Sequence, residues 1–341
     1  MTSEPHLPRS AAPGVEPAAV ACPDTGFGLI EVRGNDAATF LHGQVSSDVR
    51  ALEPGRARYS SYNSPKGRML ANMIVVRSPA AFGDDGFFLL LAADLVEAIR
   101  RRLSMFVLRA KVTVRDASGD YAIWGLAGPG REAAARAAFG VVPGPFEAQP
   151  LEHGVLVLAL PDGRLLAVCP RAQAASLQAD ILHHAELADA QTWRRLDIQA
   201  GIPWIGAATS DLFVPQTANW EVLGGVDFQK GCYPGQEIVA RTQYLGRLKE
   251  RLFAFHAAVP DVAPASKLHS STFGDQACGT VVSAVPDPDG GCLLLAVVQV
   301  AAVESADLRL GDGPGTPLAL RPLPYALPPA TAPRPRSPAN A

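Results

Sequence analysis

The sequence predicts an α+β protein in which two ferredoxin-like α/β modules precede a small C-terminal β-barrel. Before about residue 247, apolar runs at strand and helix spacing follow the order βα–ββ–αβ, the signature of a ferredoxin-like unit, and a second set of runs repeats that order. Beyond that point helical spacing fades, and strand-like runs separated by Pro, Asp and Gly take over. At roughly 100–200 residues per domain, a chain of 341 residues has room for this arrangement.

In the first module, residues 24–117, Gly28–Val32 reads as a strand and Asn35 or Asp36 as the cap of a short helix through Leu41. Met69–Val76 and Phe87–Leu91 are strands. Ala93–Leu108 places Leu95, Ile99, Leu103 and Phe106 at helical spacing, and Lys111–Val114 closes the unit. In the second module, residues 118–246, Tyr121–Leu126 is a strand and Arg131–Phe139 a helix that Gly140 ends. Val155–Leu160 and Leu165–Cys169 form a hairpin around Pro161-Asp162-Gly163-Arg164, and helices follow over Ala172–His184 and Ala190–Ala200. Leu252–Ala257, Gly279–Val285 and Leu293–Ala302 are barrel strands within residues 247–321. Twelve of the 30 prolines fall in residues 1–23 and 322–341, so both stretches are expected to be disordered tails.

Composition removes several function classes. Hydrophobic residues make up 48% and charged residues 18%, which excludes a disordered chain. Thirty Lys and Arg against 33 Asp and Glu leave a net charge of −3, hence no general basic field and no expected direct nucleic-acid binding. The longest apolar run, Leu293–Val300, is interrupted by Gln299 and falls short of the ~20 residues that a membrane span needs. The five cysteines are scattered with no CxxC pair, which fits a reducing compartment, and the N-terminus lacks the apolar core of a secretory signal. A cytoplasmic location follows. His42, His153, His256 and His269 lack spacing partners for a resident metal.

The densest chemical signal is Lys230-Gly231-Cys232-Tyr233-Pro234-Gly235-Gln236-Glu237, followed by Arg241. Pro234-Gly235 suits the centre of a type II turn, Gln236 starts a helix, and Glu237 and Arg241 stand at i, i+4 for an ion pair. Cys232 then lies just before a helix start with Lys230 close in sequence. Both favour a thiolate, the form that attacks electrophiles or ligates soft metal. The competing reading is a small cysteine packed beside a tight turn.

This octet resembles the K-G-C-Y-x-G-Q-E signature of the YgfZ family, folate-binding proteins related in fold to the glycine-cleavage aminomethyltransferase. Four further blocks resemble the family in order. Phe40–Val49 is similar to its FLqGqvtsDv segment and Ser64-Pro65-Lys66-Gly67-Arg68-Met69 to its pKGr turn, and Arg195–Pro203 and Pro215–Trp220 match as well. The resemblance implies an aminomethyltransferase-like ring around a folate site, with tetrahydrofolate or a one-carbon derivative as cofactor. It also implies a part in iron–sulfur cluster assembly or repair for client enzymes, including one that thiomethylates tRNA. Cys232 and Lys230 would carry the chemistry, supported by Gly231, Tyr233, Gly235, Gln236, Glu237 and Arg241, with Cys232 a candidate transient cluster ligand.

A folate site needs apolar walls, an amide or carboxylate for the pterin edge, and cations for the glutamate tail. Tyr62, Asn63, Lys66 and Arg68 offer these groups in one stretch, and Trp204 and Trp220 are candidate walls. The aminomethyltransferases carry paired aspartates just after the equivalent glycine turn, where Lys66–Arg77 here contains no Asp or Glu. That absence argues against ordinary glycine-cleavage chemistry. Two other readings remain: a one-carbon transferase with another acid–base group, and a cofactor-free interaction module on the same fold.

Overall fold

The computed structural model describes residues 18–79, 82, 86–244, 248–305, 307–311 and 315–328. The chain enters through β1 (Val20–Cys22), then β2 (Phe27–Arg33) and α1 (Ala37–His42), then β3 (Ala57–Asn63), β4 (Met69–Arg77) and β5 (Gly86–Ala92). Helix α2 (Val96–Ser104) and β6 (Thr113–Asp116) complete the first module. Its sheet has the order β3-β4-β5-β2-β6 with every neighbour antiparallel. The α2 face bearing Val96, Ile99 and Leu103 is buried. Asp36 does not cap α1; its carboxylate accepts the Lys111 amide at 2.7 Å instead.

β3 is absent from the sequence-based expectation, because its run ARYSSYN buries serines where a strand pattern would show apolar side chains. Those serines form a hydroxyl network. Ser46 Oγ donates to the Gly225 carbonyl at 2.6 Å and accepts from Ser61 N and Ser61 Oγ at 2.8 and 2.9 Å, while Ser60 Oγ accepts from Ser47 N at 3.1 Å. Buried hydroxyls satisfied in this way tie the first module to the segment that leads into Lys230.

The second module contains β7 (Tyr121–Ala127), α3 (Arg131–Phe139), β8 (Ala148–Pro150), β9 (Leu156–Ala159), β10 (Leu165–Pro170), α4 (Ala174–Leu182) and β11 (Glu186–Leu187). Its sheet order, β11-β1-β7-β10-β9-β8, repeats that of the first module with β1 added between β7 and β11. Edge strands β3 and β8 occupy equivalent places. The repetition, supported by element order alone in the sequence, is thus visible in strand pairing.

The boundary expected at residue 23 is corrected. Residues 20–22 form β1, paired antiparallel with β7 and parallel with β11, with Ala21 and Cys22 fully buried. Pro23 follows a strand here rather than belonging to a disordered stretch. Residues 1–17 lie outside the described residues.

Helix α5 (Ala190–Gln199) is capped by Asp189, whose side chain accepts the Thr192 amide at 2.8 Å. It carries Asp197 to a buried pair with Arg164, 2.8 Å apart, and the Arg164 guanidinium lies 4.5 Å from the Trp193 ring centre. An irregular segment leads to α6 (Gln236–Tyr244). The last module is a closed six-stranded barrel of order β12-β15-β14-β13-β16-β17. Its strands are β12 (Glu250–Ala257), β13 (Lys267–His269), β14 (Gly279–Pro286), β15 (Cys292–Gln299), β16 (Arg309–Leu310) and β17 (Thr316–Arg321). The strand expected to reach Ala302 stops at Gln299, where α7 (Val300–Glu304) begins. Beyond β17, Tyr325 donates to the Gly201 carbonyl at 2.7 Å and Leu323 packs on the core, so the start of the expected 322–341 tail is ordered. Residues 329–341 lie outside the described residues.

Candidate functional site

The two glycine turns singled out in the sequence pack against each other. Gly67 (φ 71°) and Gly235 (φ 76°) both sit in the left-handed region that favours glycine. A Cβ on Gly235 would stand 2.4 Å from the Ser64 carbonyl oxygen and 2.6 Å from Gly67 Cα. The Ser64 turn closes through Gly67 N donating to Ser64 O at 2.9 Å, and the Tyr233 turn through Gln236 N donating to Tyr233 O at 3.2 Å. The latter has the hydrogen bond and positive φ of a type II turn around Pro234-Gly235. Asp211 accepts the Ser64 hydroxyl at 2.6 Å, and Arg68 donates to the Leu212 carbonyl at 3.2 Å. The octet is therefore anchored to the first module backbone to backbone.

Cys232 is the one exposed cysteine of the five; Cys22, Cys169, Cys278 and Cys292 are buried and all five are free thiols. Lys230 is not an exposed cation beside it. Its ammonium is buried, donates to the carbonyls of His42 and Val45, the latter at 2.7 Å, and lies 4.7 Å from the Tyr233 ring centre. Burial pulls its pKa down to about 8. Gln236 Nε2 donates to Lys230 O at 3.2 Å, which closes the loop over Cys232. Glu237 and Arg241 are exposed on α6, and no ion pair joins them among the described residues. The gain available to an exposed i, i+4 pair, about 0.3–0.5 kcal/mol, is too small to impose one.

A cleft of about 720 Å³ is lined in part by residues that flank the octet in sequence, among them Phe228, Gln229 and Tyr244. Phe146, Phe228 and Tyr244 supply apolar walls, Arg56 and Arg58 cations, and Asp227 and Gln229 a carboxylate and an amide. Two buried polar atoms on its lining, Ser47 Oγ and Arg58 Nε, have no hydrogen-bond partner in the protein.

Two curated relatives are each described as the tRNA-modifying protein YgfZ. That of Serratia proteamaculans is 31% identical across 88% of this chain and 91% of its own length; that of Edwardsiella ictaluri is 32% identical across 87% and 89%. The chain belongs to the YgfZ family. Residues 15–142 also match the GCVT N-terminal domain. The glycine cleavage system aminomethyltransferase T of Bartonella henselae superposes with a TM-score of 0.72 at 18% identity, covering 91% of this chain and 86% of that one. The YgfZ chain thus has an aminomethyltransferase-like fold: α+β, with two sheet modules and a closed barrel.

Of the residues expected to touch folate, none lines the cleft. Tyr62 and Asn63 are buried at the end of β3, and both amide atoms of Asn63 lack a protein partner. Lys66 and Arg68 are exposed on the Ser64 turn. Trp204 and Trp220 form an aromatic cluster with Tyr59, with ring centres 5.0–5.9 Å apart, and Trp220 is fully buried there. The cleft lining comes from separated stretches, 47–58, 145–146, 224–229 and Tyr244, which overlap the motifs legible in the sequence only at Ser47. In this YgfZ chain β4 bears no carboxylate, and no helix among the described residues is long and apolar enough to cross a membrane.

Proposed function

We propose that this chain is a cytoplasmic folate-binding accessory protein that acts in the assembly or repair of iron–sulfur clusters in client enzymes, tRNA-thiomethylating enzymes among them. Cys232 is its functional thiolate. The observation that carries the reading is the placement of the sole exposed cysteine in a stretch whose flanking residues in sequence, Phe228 and Gln229 before it and Tyr244 after it, line the 720 Å³ cleft. Membership of the YgfZ family supports it, since relatives in that family are described as tRNA-modifying proteins.

The cleft residues fit a reduced folate. Phe146 and Phe228 would flank the flat rings, Asp227 and Gln229 would hold the pterin edge, and Arg56 and Arg58 would hold the glutamate carboxylates. The unpartnered Ser47 Oγ and Arg58 Nε are donors that such a ligand would satisfy. When bound, tetrahydrofolate supplies a carrier for one-carbon units. Cys232, exposed outside the lining, engages the cluster or sulfur of the client as substrate. The absence of any carboxylate on β4, after the Ser64 turn, weighs against a glycine-cleavage type of transfer.

Anaerobic calorimetric titration with tetrahydrofolate is expected to give saturable, equimolar binding. Phe228→Ala should weaken it about tenfold, the loss of roughly 1.4 kcal/mol from one aromatic wall. Absence of heat at two temperatures would remove folate from the reading.

A further inference from the structure

Between Glu97 and Asp116 the chain carries six cations and no acid, in a protein whose net charge is −3. The middle of that stretch, the turn from the end of α2 towards β6, is apolar and outward-facing: Met105 is 61% exposed, Phe106 44% and Leu108 87%. Single apolar residues on a surface are ordinary, but three large ones within four residues of chain form a patch. The turn holds its shape through its own backbone. Phe106 N donates to Leu103 O at 3.0 Å, Val107 N to Ser104 O at 3.3 Å and Ala110 N to Val107 O at 2.8 Å. Leu108 takes a φ of 44°, in the left-handed region that non-glycine residues seldom occupy.

The cations around the patch divide into two sets. Arg100 and Arg101 both reach Glu97, at 2.9 and 3.0 Å, and Arg115 pairs with Glu31 and Asp120. Arg102 is half-buried beside Tyr62. Arg109 and Lys111, by contrast, are exposed and have no ion pair among the described residues. The turn therefore presents an apolar centre followed by two cations that nothing in the chain neutralises.

We infer that the turn over residues 105–111 is a docking surface for a protein segment in which carboxylates flank apolar side chains, carried by a client enzyme. Phe, Met and Arg are types that protein interfaces concentrate, and a turn already formed meets its partner at little ordering cost. Carboxylates opposite Arg109 and Lys111 supply the charge match. Other occupants fit less well. A second copy of this chain would bring two sets of the same cations together across a two-fold contact. A nucleic-acid backbone gains from a row of cations, whereas here the centre is apolar. An anionic membrane would lay its headgroups over Glu97 at one margin and over Asp36, whose carboxylate accepts the Lys111 amide, at the other. The inference rests on the reading that the clients are enzymes which this chain meets directly.

The test is anaerobic binding of the full chain to a purified iron–sulfur tRNA-thiomethylating enzyme, with parallel arms for tRNA alone and for vesicles of phosphatidylglycerol and phosphatidylcholine. Leu108→Asn removes the apolar side chain while keeping a residue that tolerates positive φ, and it should weaken enzyme binding about tenfold. Phe106→Ser should do the same. Arg109→Glu should slow association, and its effect should shrink as salt rises from about 50 to about 300 mM. All three side chains are exposed, so each variant should melt at the native temperature. Neither the tRNA arm nor the vesicle arm should tell the variants from the native chain. Variants that bind the enzyme as the native chain does overturn the inference, as does a native chain that does not bind it. A loss confined to the tRNA or the vesicle arm overturns it as well, in favour of that occupant. Cys232→Ser should bind the enzyme with native affinity, so complementation by that variant would sink the thiol reading while leaving the docking surface standing.

Discussion

Cys232→Ser is expected to abolish function in cells while leaving the folded protein intact. Complementation of a strain lacking its own YgfZ, read as the activity of an iron–sulfur tRNA-thiomethylating enzyme, should fall to the level of an empty vector. Stability should change by less than about 0.5 kcal/mol, because the side chain is exposed and contributes nothing to the buried core. Tetrahydrofolate affinity should also hold, since Cys232 is not part of the cleft lining. Serine keeps the shape but replaces the soft, ionisable thiol with a hydroxyl, so the comparison isolates thiol chemistry. Full activity of the Ser variant would leave the octet with a structural role only.

The second large effect is expected at Gly235. Alanine there meets two costs together. The left-handed backbone costs an L-residue about 1–2 kcal/mol, and the new methyl would sit 2.4 Å from the Ser64 carbonyl and 2.6 Å from Gly67 Cα, both backbone atoms that cannot swing aside. The turns must separate or the loop must rebuild, so Gly235→Ala should lower unfolding stability by about 3 kcal/mol, with an unchanged urea slope. Because the same contact seats the octet on the first module, folate affinity and Cys232 reactivity should fall in step. A loss under about 1 kcal/mol would mean that the turns are not held by that contact.

These glycines also explain what could be read without coordinates. A positive φ and a close backbone approach restrict the residue type, so they leave a mark in the sequence; the Pro234-Gly235 turn was legible for that reason, and the Lys66-Gly67 turn through its resemblance to the family's pKGr segment. The helices and most strands were legible from periodicity. β3 was not, because serines satisfied by Ser46 and Gly225 replace an apolar stripe, and such satisfaction is a tertiary fact. Nor was β1, whose few residues lie among prolines. The true setting of Lys230 was hidden too: proximity in sequence suggested a cation beside the thiol, whereas the backbone carbonyls of His42 and Val45 draw it inward.

The position of β1 bears on how the chain comes together. Val20–Cys22 lies between β7 and β11 in the second sheet, so the whole first module is an insertion within the second, in the loop between β1 and β7. During synthesis, the first module has all its strands before β7 emerges, but the β1 segment must wait for residues up to Glu186 and Leu187 before its second edge is covered. The long closure makes that pairing a slow, late event. It also means that a fragment beginning at residue 118 leaves the edges of β7 and β11 bare, a pairing site for a neighbouring chain, so the two modules are not separable by a cut between them.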